Sequence, residues 1–396
     1  MTAPEERAET LLRTRNIKMA RSAHAYVRGS TVKFYEWLEG RSGKVPEGPP
    51  VWICGDCHVG NLGPLADAKG RVAVQIRDLD QTVIGNPAND LIRLGLSLAS
   101  AARGSDLPGV ITARILERLI AGYETALAGS FDGHRDKSAR PRVIQDLLAQ
   151  ATRRRWRHLA EERLDTVKPV VPLGKRFWAL TADERGALRD LFEQPELRST
   201  IIGLQDRDDT DKVEMVDAAY WMKGCSSLGR LRYAAMLRVG QGRGSSLCLV
   251  DVKEAVTAAA PRAADAPMPR ENAMRVVMGA RALSPHLGER MMAARLMGTG
   301  VVVRELMPQD LKIEVERLTE EAATTLAEYL AGVIGRAHGR QMDAETRERW
   351  RSELGRARSS TLDAPSWLWS SIVELLSIHE AAYLEHCRRF ALARSA

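Results

Sequence analysis

The residues best placed to do chemistry form a run, Gly55-Asp56-Cys57-His58-Val59-Gly60-Asn61, and a short acidic motif behind it, Asp78-Leu79-Asp80. A hairpin pattern joins them: Leu62 to Ala66, a turn at Asp67-Ala68-Lys69-Gly70, then Val72 to Ile76. With the turn centred between Lys69 and Gly70, Asn61 faces Asp78, and opposed Cα atoms in such a ladder lie roughly 4.5–5.5 Å apart. An amide oxygen and a carboxylate at that separation can share one hard cation. Magnesium takes oxygen ligands at about 2.0–2.1 Å and needs few from protein when phosphates and water supply the rest. Asp56 ends the preceding strand and is free to accept a proton from an attacking hydroxyl. His58 orients Asp56, touches phosphate or packs within the loop. Asp80 is a second metal ligand or the cap of the following turn. A base with an Asn and an Asp on metal, and little covalent work for the protein, is the logic of phosphoryl transfer. A polar hairpin carrying acids by chance would account for neither this spacing nor the helix that follows.

The elements that must position these groups are legible as patterns. Residues 5 to 40 read as mainly helical, and Val51 to Cys54 as a short apolar strand running into Gly55. Leu91, Leu94 and Leu98 share one face of a helix from Ala88 to Arg103. Amphipathic stretches continue from Val110 to Leu127 and from Val143 to Leu164, and another helix begins at Thr181 with Asp183 and Glu184 in its first turn. Residues 215 to 253 read as a β-meander. There Leu231, Tyr233, Ala235, Leu237 and Val239 alternate with Arg230, Arg232 and Arg238, the period of a half-buried strand. A helix from Glu271 to Leu283, a strand from Val301 to Leu306, and helices over Ile313 to His338 and Trp367 to Phe390 complete the chain. His338 and the pair Met291-Met292 read as core residues.

The acidic hairpin resembles the catalytic loop and metal-binding Asp of aminoglycoside phosphotransferases and other protein-kinase-like enzymes. Gly85-Asn86-Pro87-Ala88-Asn89-Asp90-Leu91 resembles the stretch after their metal site, where an Asp at the position of Asp90 ties down the catalytic loop. Gly224-Cys225-Ser226-Ser227-Leu228-Gly229 resembles the glycine-rich loop that covers phosphates, with Ser226 in place of the middle Gly. Gly224, Ser227 and Gly229 complete that loop, whose backbone amides are suited to anions. Val252-Lys253-Glu254-Ala255 resembles the β3 motif, which implies that Lys253 pairs the α/β-phosphates. Glu271 then serves as the partner of Lys253, with Glu289 a poorer choice, and the backbone from Glu305 to Pro308 faces adenine. The usual order of these blocks is permuted, since the catalytic and metal residues come first.

This arrangement is similar to the bacterial domain of unknown function 2252 family. The carrying residues are Lys18-Met19-Ala20-Arg21-Ser22, Arg28-Gly29, the Gly55 to Asn61 block, Asp78, Asp80, Lys253-Glu254-Ala255, Arg275-Val276-Val277 and Arg336-Ala337-His338. The chain departs from the pattern at Met278, where an acidic residue is expected.

The expected fold is α+β, a kinase-like two-lobe fold in circularly permuted order. Its large lobe is formed by residues 1–212 and 309–396, with a small β-rich nucleotide lobe at 213–308. The expected function is an ATP- and magnesium-dependent phosphotransferase acting on an unidentified hydroxyl acceptor. The alternatives are a pseudokinase-like nucleotide-binding regulator and a nucleotidyl transferase that moves AMP. The net charge of +7 comes from Arg spread along helices, so no nucleic-acid partner is expected. Cys54-Gly55-Asp56-Cys57-His58 matches a haem-attachment pattern, but no export signal precedes it, and no second Cys/His pair completes a zinc site. Cys54, Cys57, Cys225, Cys248 and Cys387 do not form a disulfide framework. No membrane span or signal peptide is read, which points to the cytoplasm, and the oligomeric state is not legible.

Overall fold

A computed structural model describes residues 6–41, 43–129, 140–205, 207–223, 229–313, 318–356, 358 and 363–390. The fold is α+β. Its strands are β1 (Val51–Ile53), β2 (Leu62–Ala66), β3 (Val72–Ile76), β4 (Val83–Gly85), β5 (Phe177–Trp178), β6 (Val213–Trp221), β7 (Arg232–Val239), β8 (Ser246–Glu254), β9 (Met291–Leu296) and β10 (Thr299–Leu306).

The strands make three sheets. Antiparallel β1–β4 and β2–β3 are two-stranded, and the third sheet runs β5-β6-β7-β8-β10-β9. β2 and β3 have the bounds expected from the sequence, but their register differs by one. Leu62 pairs with Ile76 and Ala66 with Val72, and the Arg77 amide donates to the Asn61 carbonyl at 2.8 Å, so Arg77, not Asp78, opposes Asn61. The cause is the turn. Residues 68 to 70 form a three-residue loop in which the Asp67 carboxylate accepts from the amides of Lys69 and Arg71. An odd loop shifts the ladder by one residue relative to an even one.

The large sheet is covered on both faces, a further departure from the half-buried strand expected. On one face Tyr233, Ala235, Leu237, Val250, Val252, Val301 and Val303 pack against Leu188, Leu191 and Phe192 of helix Ala182–Glu193. On the other, Ala234, Met236, Leu249, Trp221 and Leu306 meet Leu159 and Leu164 of helix Trp156–Leu164. Strand alternation delivers each set to its own side. Arg232, expected to face solvent, is 5% exposed and is held by Asp251 through two bonds, at 2.8 and 2.5 Å.

The other body is helical. Helices Ala88–Gly104, Gly109–Ala128, Glu320–Gly339 and Ser366–Phe390 share one core, and Ala273, Val276, Val277 and Ala280 of helix Asn272–Leu283 join it. The stretch read as one helix from Val143 to Leu164 is two, Arg142–Arg153 and Trp156–Leu164, because Arg154 and Arg155 leave helical geometry. The helix expected from Ile313 begins at Glu320, where Thr319 caps it. Met291 and Met292 sit on β9, a strand the sequence reading lacked. β5 brings residues 177 and 178 into the large sheet, ahead of the expected boundary at 213. No helix among the described residues is long and apolar enough to cross a membrane.

Candidate functional site

The site is built outward from Gly55. Its φ is +74°, and a Cβ there would lie 2.1 Å from the carbonyl oxygen of Gln81. Only glycine lets the chain turn so close to the acidic segment. Gly55→Ala should cost about 1–3 kcal/mol from the backbone conformation alone, with the clash adding to it. Urea unfolding would show this, and unchanged stability would refute the close approach.

Asp90, in the first turn of helix Ala88–Gly104 and fully buried, accepts from the amides of Cys54 at 2.7 Å and Gly55 at 2.9 Å. Its second support is His338, whose Nε2 lies 3.2 Å away. The other ring nitrogen meets the Tyr123 hydroxyl at 2.9 Å, to which Trp350 donates in turn. Tyr35 donates to the Gly55 carbonyl at 2.5 Å. Asp56 therefore projects from a backbone held on three sides.

Asp56 accepts from Arg93 Nε at 2.9 Å. Burial pushes its carboxyl above the ordinary range, and Arg93 opposes this. His58 Nε2 stands 4.0 Å from Asp56, and burial holds the imidazole well below its usual value. Asn61 donates through Nδ2 to the carbonyls of Asp56 at 3.0 Å and Asp78 at 3.5 Å, so its Oδ1 takes part in neither bond. Although the ladder register is shifted, Asn61 and Asp78 still meet.

Lys253, on β8, reaches across to this segment. Its Nζ is 3.5 Å from Asp78 Oδ1 and closer still to Asp80. Burial alone would raise both carboxyls. The Lys253 charge holds Asp78 far below the usual range, while the Asp78 charge helps push Asp80 up. Arg275, on helix Asn272–Leu283, locks the acidic segment by donating to the carbonyls of Asp80, Thr82 and Val256.

The partner expected for Lys253 is placed elsewhere. Glu271 caps helix Asn272–Leu283, accepting from the amides of Ala273 and Met274. Glu289 lies beside the Ala68 amide. Met278 is 39% exposed; Lys253 finds its counter-charges on the acidic segment, so an acid at that helix position is not needed to neutralise it. Glu305 is buried in an ion pair with Arg207 at 2.7 and 2.8 Å, and its carbonyl accepts from Arg290 at 2.9 Å. The carboxylate and carbonyl at the expected adenine edge are thus already engaged. Gly224, Ser226 and Ser227 lie outside the described residues. Gly229 is exposed with φ +97° and leads to Arg230, which lines a cavity of about 20 Å³ with Thr31, Asp56, Asn61, Asp78 and Asp80. That is room for about one water, so a larger ligand requires lining residues such as Arg230 to move. A larger cavity, of about 830 Å³, lies behind Val83 between Tyr35 and Arg275 and contains none of the expected site residues.

Sequence reasoning missed the cations gathered around Asp251. Two residues before Lys253, Asp251 is held by Arg232 and by Arg304 at 3.4 Å. Lys223 lies 4.0 Å from the Trp221 ring, and burial together with Arg232, Arg163 and Arg304 pulls its ammonium well below its usual value. Scattered arginines gave no local signal of this convergence. Arg93 did leave one, as a lone charge between Leu91, Ile92 and Leu94 of a buried helix. Among the described residues no group of three or more His, Cys, Asp and Glu side chains is arranged to hold a metal. A cation here would rest on two carboxylates and the Asn61 amide.

Residues 7–389 match the family described as "Uncharacterized protein conserved in bacteria (DUF2252)", and the chain belongs to that family. No curated protein and no solved structure matches it.

Proposed function

We propose that this family member is an ATP- and magnesium-dependent phosphotransferase acting on a hydroxyl acceptor, with a kinase-like two-lobe arrangement in permuted chain order. The observation that carries the reading is the Lys253 ammonium lying between the carboxylates of Asp78 and Asp80. A strand lysine and an acidic turn far apart in the chain thus face each other beside Asp56.

The residues suit a magnesium ion by their chemistry: two carboxylates that already converge on one cation, the ammonium, and an amide oxygen nearby. Asn61, Asp78 and Asp80 would hold the ion, which when bound would neutralise charge on the β/γ-phosphates. Asp56 accepts the proton of the acceptor hydroxyl as its oxygen attacks the γ-phosphorus. The bond to the bridging oxygen breaks, and ADP leaves with the electron pair. Burial raises the proton affinity of Asp56, which suits a base, and Arg93 fixes its direction. Lys253 and the cations around Asp251 offer positive charge to the phosphates, and Gly229 ends the segment that would cover them.

One observation favours nucleotidyl transfer as a second reading. The strand positions beside and beyond Lys253 carry Arg232, directly opposite it, and the pair Asp251 and Arg304, where an adenine would want apolar surface. Phosphates lying inward on these cations would turn the α-phosphorus to the acceptor, and the mass of the modified product separates the two reactions.

The direct test is thermal unfolding with ATP, with and without magnesium. The wild type should be stabilised by the pair by RT ln(1 + [L]/Kd). Asp78→Ala should lose the magnesium-dependent part, and Lys253→Ala most of the nucleotide effect. Unchanged ATP affinity in both variants would overturn the assignment.

A further inference from the structure

Beside Asp56, four buried nitrogen atoms lack a hydrogen-bond partner: His24 Nδ1, Arg28 Nε, His58 Nδ1 and Arg93 Nη1. Buried polar nitrogens are seldom left so, and these four share one place. His24 and Arg28 are four residues apart on helix Ala23–Gly29 and so point from one face. Arg28 and Arg93 both bear electrostatically on His24, and Arg28, Arg93 and His24 all bear on His58. The Arg28 guanidinium lies over Gly60 of the Asp56 loop, where an added Cβ would sit 3.1 Å from its central carbon. Among the described residues no hydrogen bond or ion pair holds that guanidinium. Arg93 spends Nε on Asp56 and Nη2 on Val27, leaving Nη1 over.

We propose that His24, Arg28 and His58 form a subsite for a phosphate group carried by the acceptor, so that the acceptor is a phosphorylated alcohol whose hydroxyl reaches Asp56. The inference rests on the role given to Asp56 above. One guanidinium fork suffices for a planar carboxylate. The Arg28 guanidinium and two neutral imidazoles able to turn an N–H toward the same ligand, brought by two chain segments, suit a tetrahedral oxyanion instead. Its position also separates it from the donor: the ATP phosphates belong to Lys253 and the Asp78 segment, whereas this cluster faces the helix Ala23–Gly29 side of the loop. Gly60 keeps the loop bare where the guanidinium crosses it.

The test titrates inorganic phosphate into the full chain loaded with magnesium and a non-hydrolysable ATP analogue, read by calorimetry and by the imidazole NMR signals of His24 and His58. Phosphate should bind at millimolar concentration without displacing the nucleotide, and both imidazole signals should move. Arg28→Met should weaken phosphate binding by about tenfold or more, the worth of a charge-assisted contact, with nucleotide affinity unchanged. Arg28→Lys, which retains the charge, should recover part of the loss and guards against a folding defect in the Met variant. Phosphate that fails to bind, that competes with the nucleotide, or that binds Arg28→Met as tightly as wild type would overturn the subsite. Failure of nucleotide binding in the wild type, with phosphate still bound, would instead sink the phosphotransferase reading.

Discussion

Asp56→Asn is expected to lower turnover by about 10²–10⁴, the usual worth of a general base, while leaving magnesium–ATP affinity nearly unchanged. The amide keeps an oxygen for Arg93 Nε but cannot take a proton from the acceptor. Arg93 is fully buried and loses its counter-charge, so unfolding has to be measured alongside the rate. Its Nη2 bond to the Val27 carbonyl at 2.6 Å remains and limits local collapse. Loss of rate with retained nucleotide binding and a folded protein is the expected outcome. A variant as fast as wild type would remove Asp56 from the chemistry.

Asp90→Ala is expected to be the most destabilising single change near the site, at about 1–3 kcal/mol for each buried amide left without its acceptor. Both oxygens are used. The amides of Cys54 and Gly55 would lose their acceptor, and His338 would keep only Tyr123. An orphaned buried donor is costly because neither water nor protein replaces the lost bond. The consequence reaches function, since Gly55 precedes the proposed base. Asp90→Asn retains one acceptor oxygen and should fall between wild type and Ala. Denaturant unfolding of the two variants checks the order; an Ala variant as stable as wild type would mean that the loop is held by other means.

Much of the local structure was legible because its causes are local. The period of two in Leu62 to Ala66 and Val72 to Ile76 located the hairpin to the residue, and the helix read from Thr181, with Asp183 and Glu184 in its first turn, is present with Thr181 as its cap. The register was misread because it depends on how Asp67 folds the loop, and the sequence permits either an even or an odd turn. Arg232 was read as solvated because an alternating strand says which residues share a face, not whether a second layer covers it.

The sequence by itself determined most of the helices, the hairpin and its link to the acidic motif, since these follow from spacing over a few residues, whereas β4, β5 and β9 left no such signal. It also supplied Asp56, Asn61, Asp78, Asp80 and Lys253, but neither Arg93 nor the cations around Asp251. Only the tertiary structure decided who partners whom. Lys253 met Asp78 and Asp80 while Glu271 became a helix cap, and Asp56 acquired a buried arginine from the helix whose first turn holds Asp90. Charge pairing in a folded chain depends on distance and desolvation through space, and chain separation constrains neither.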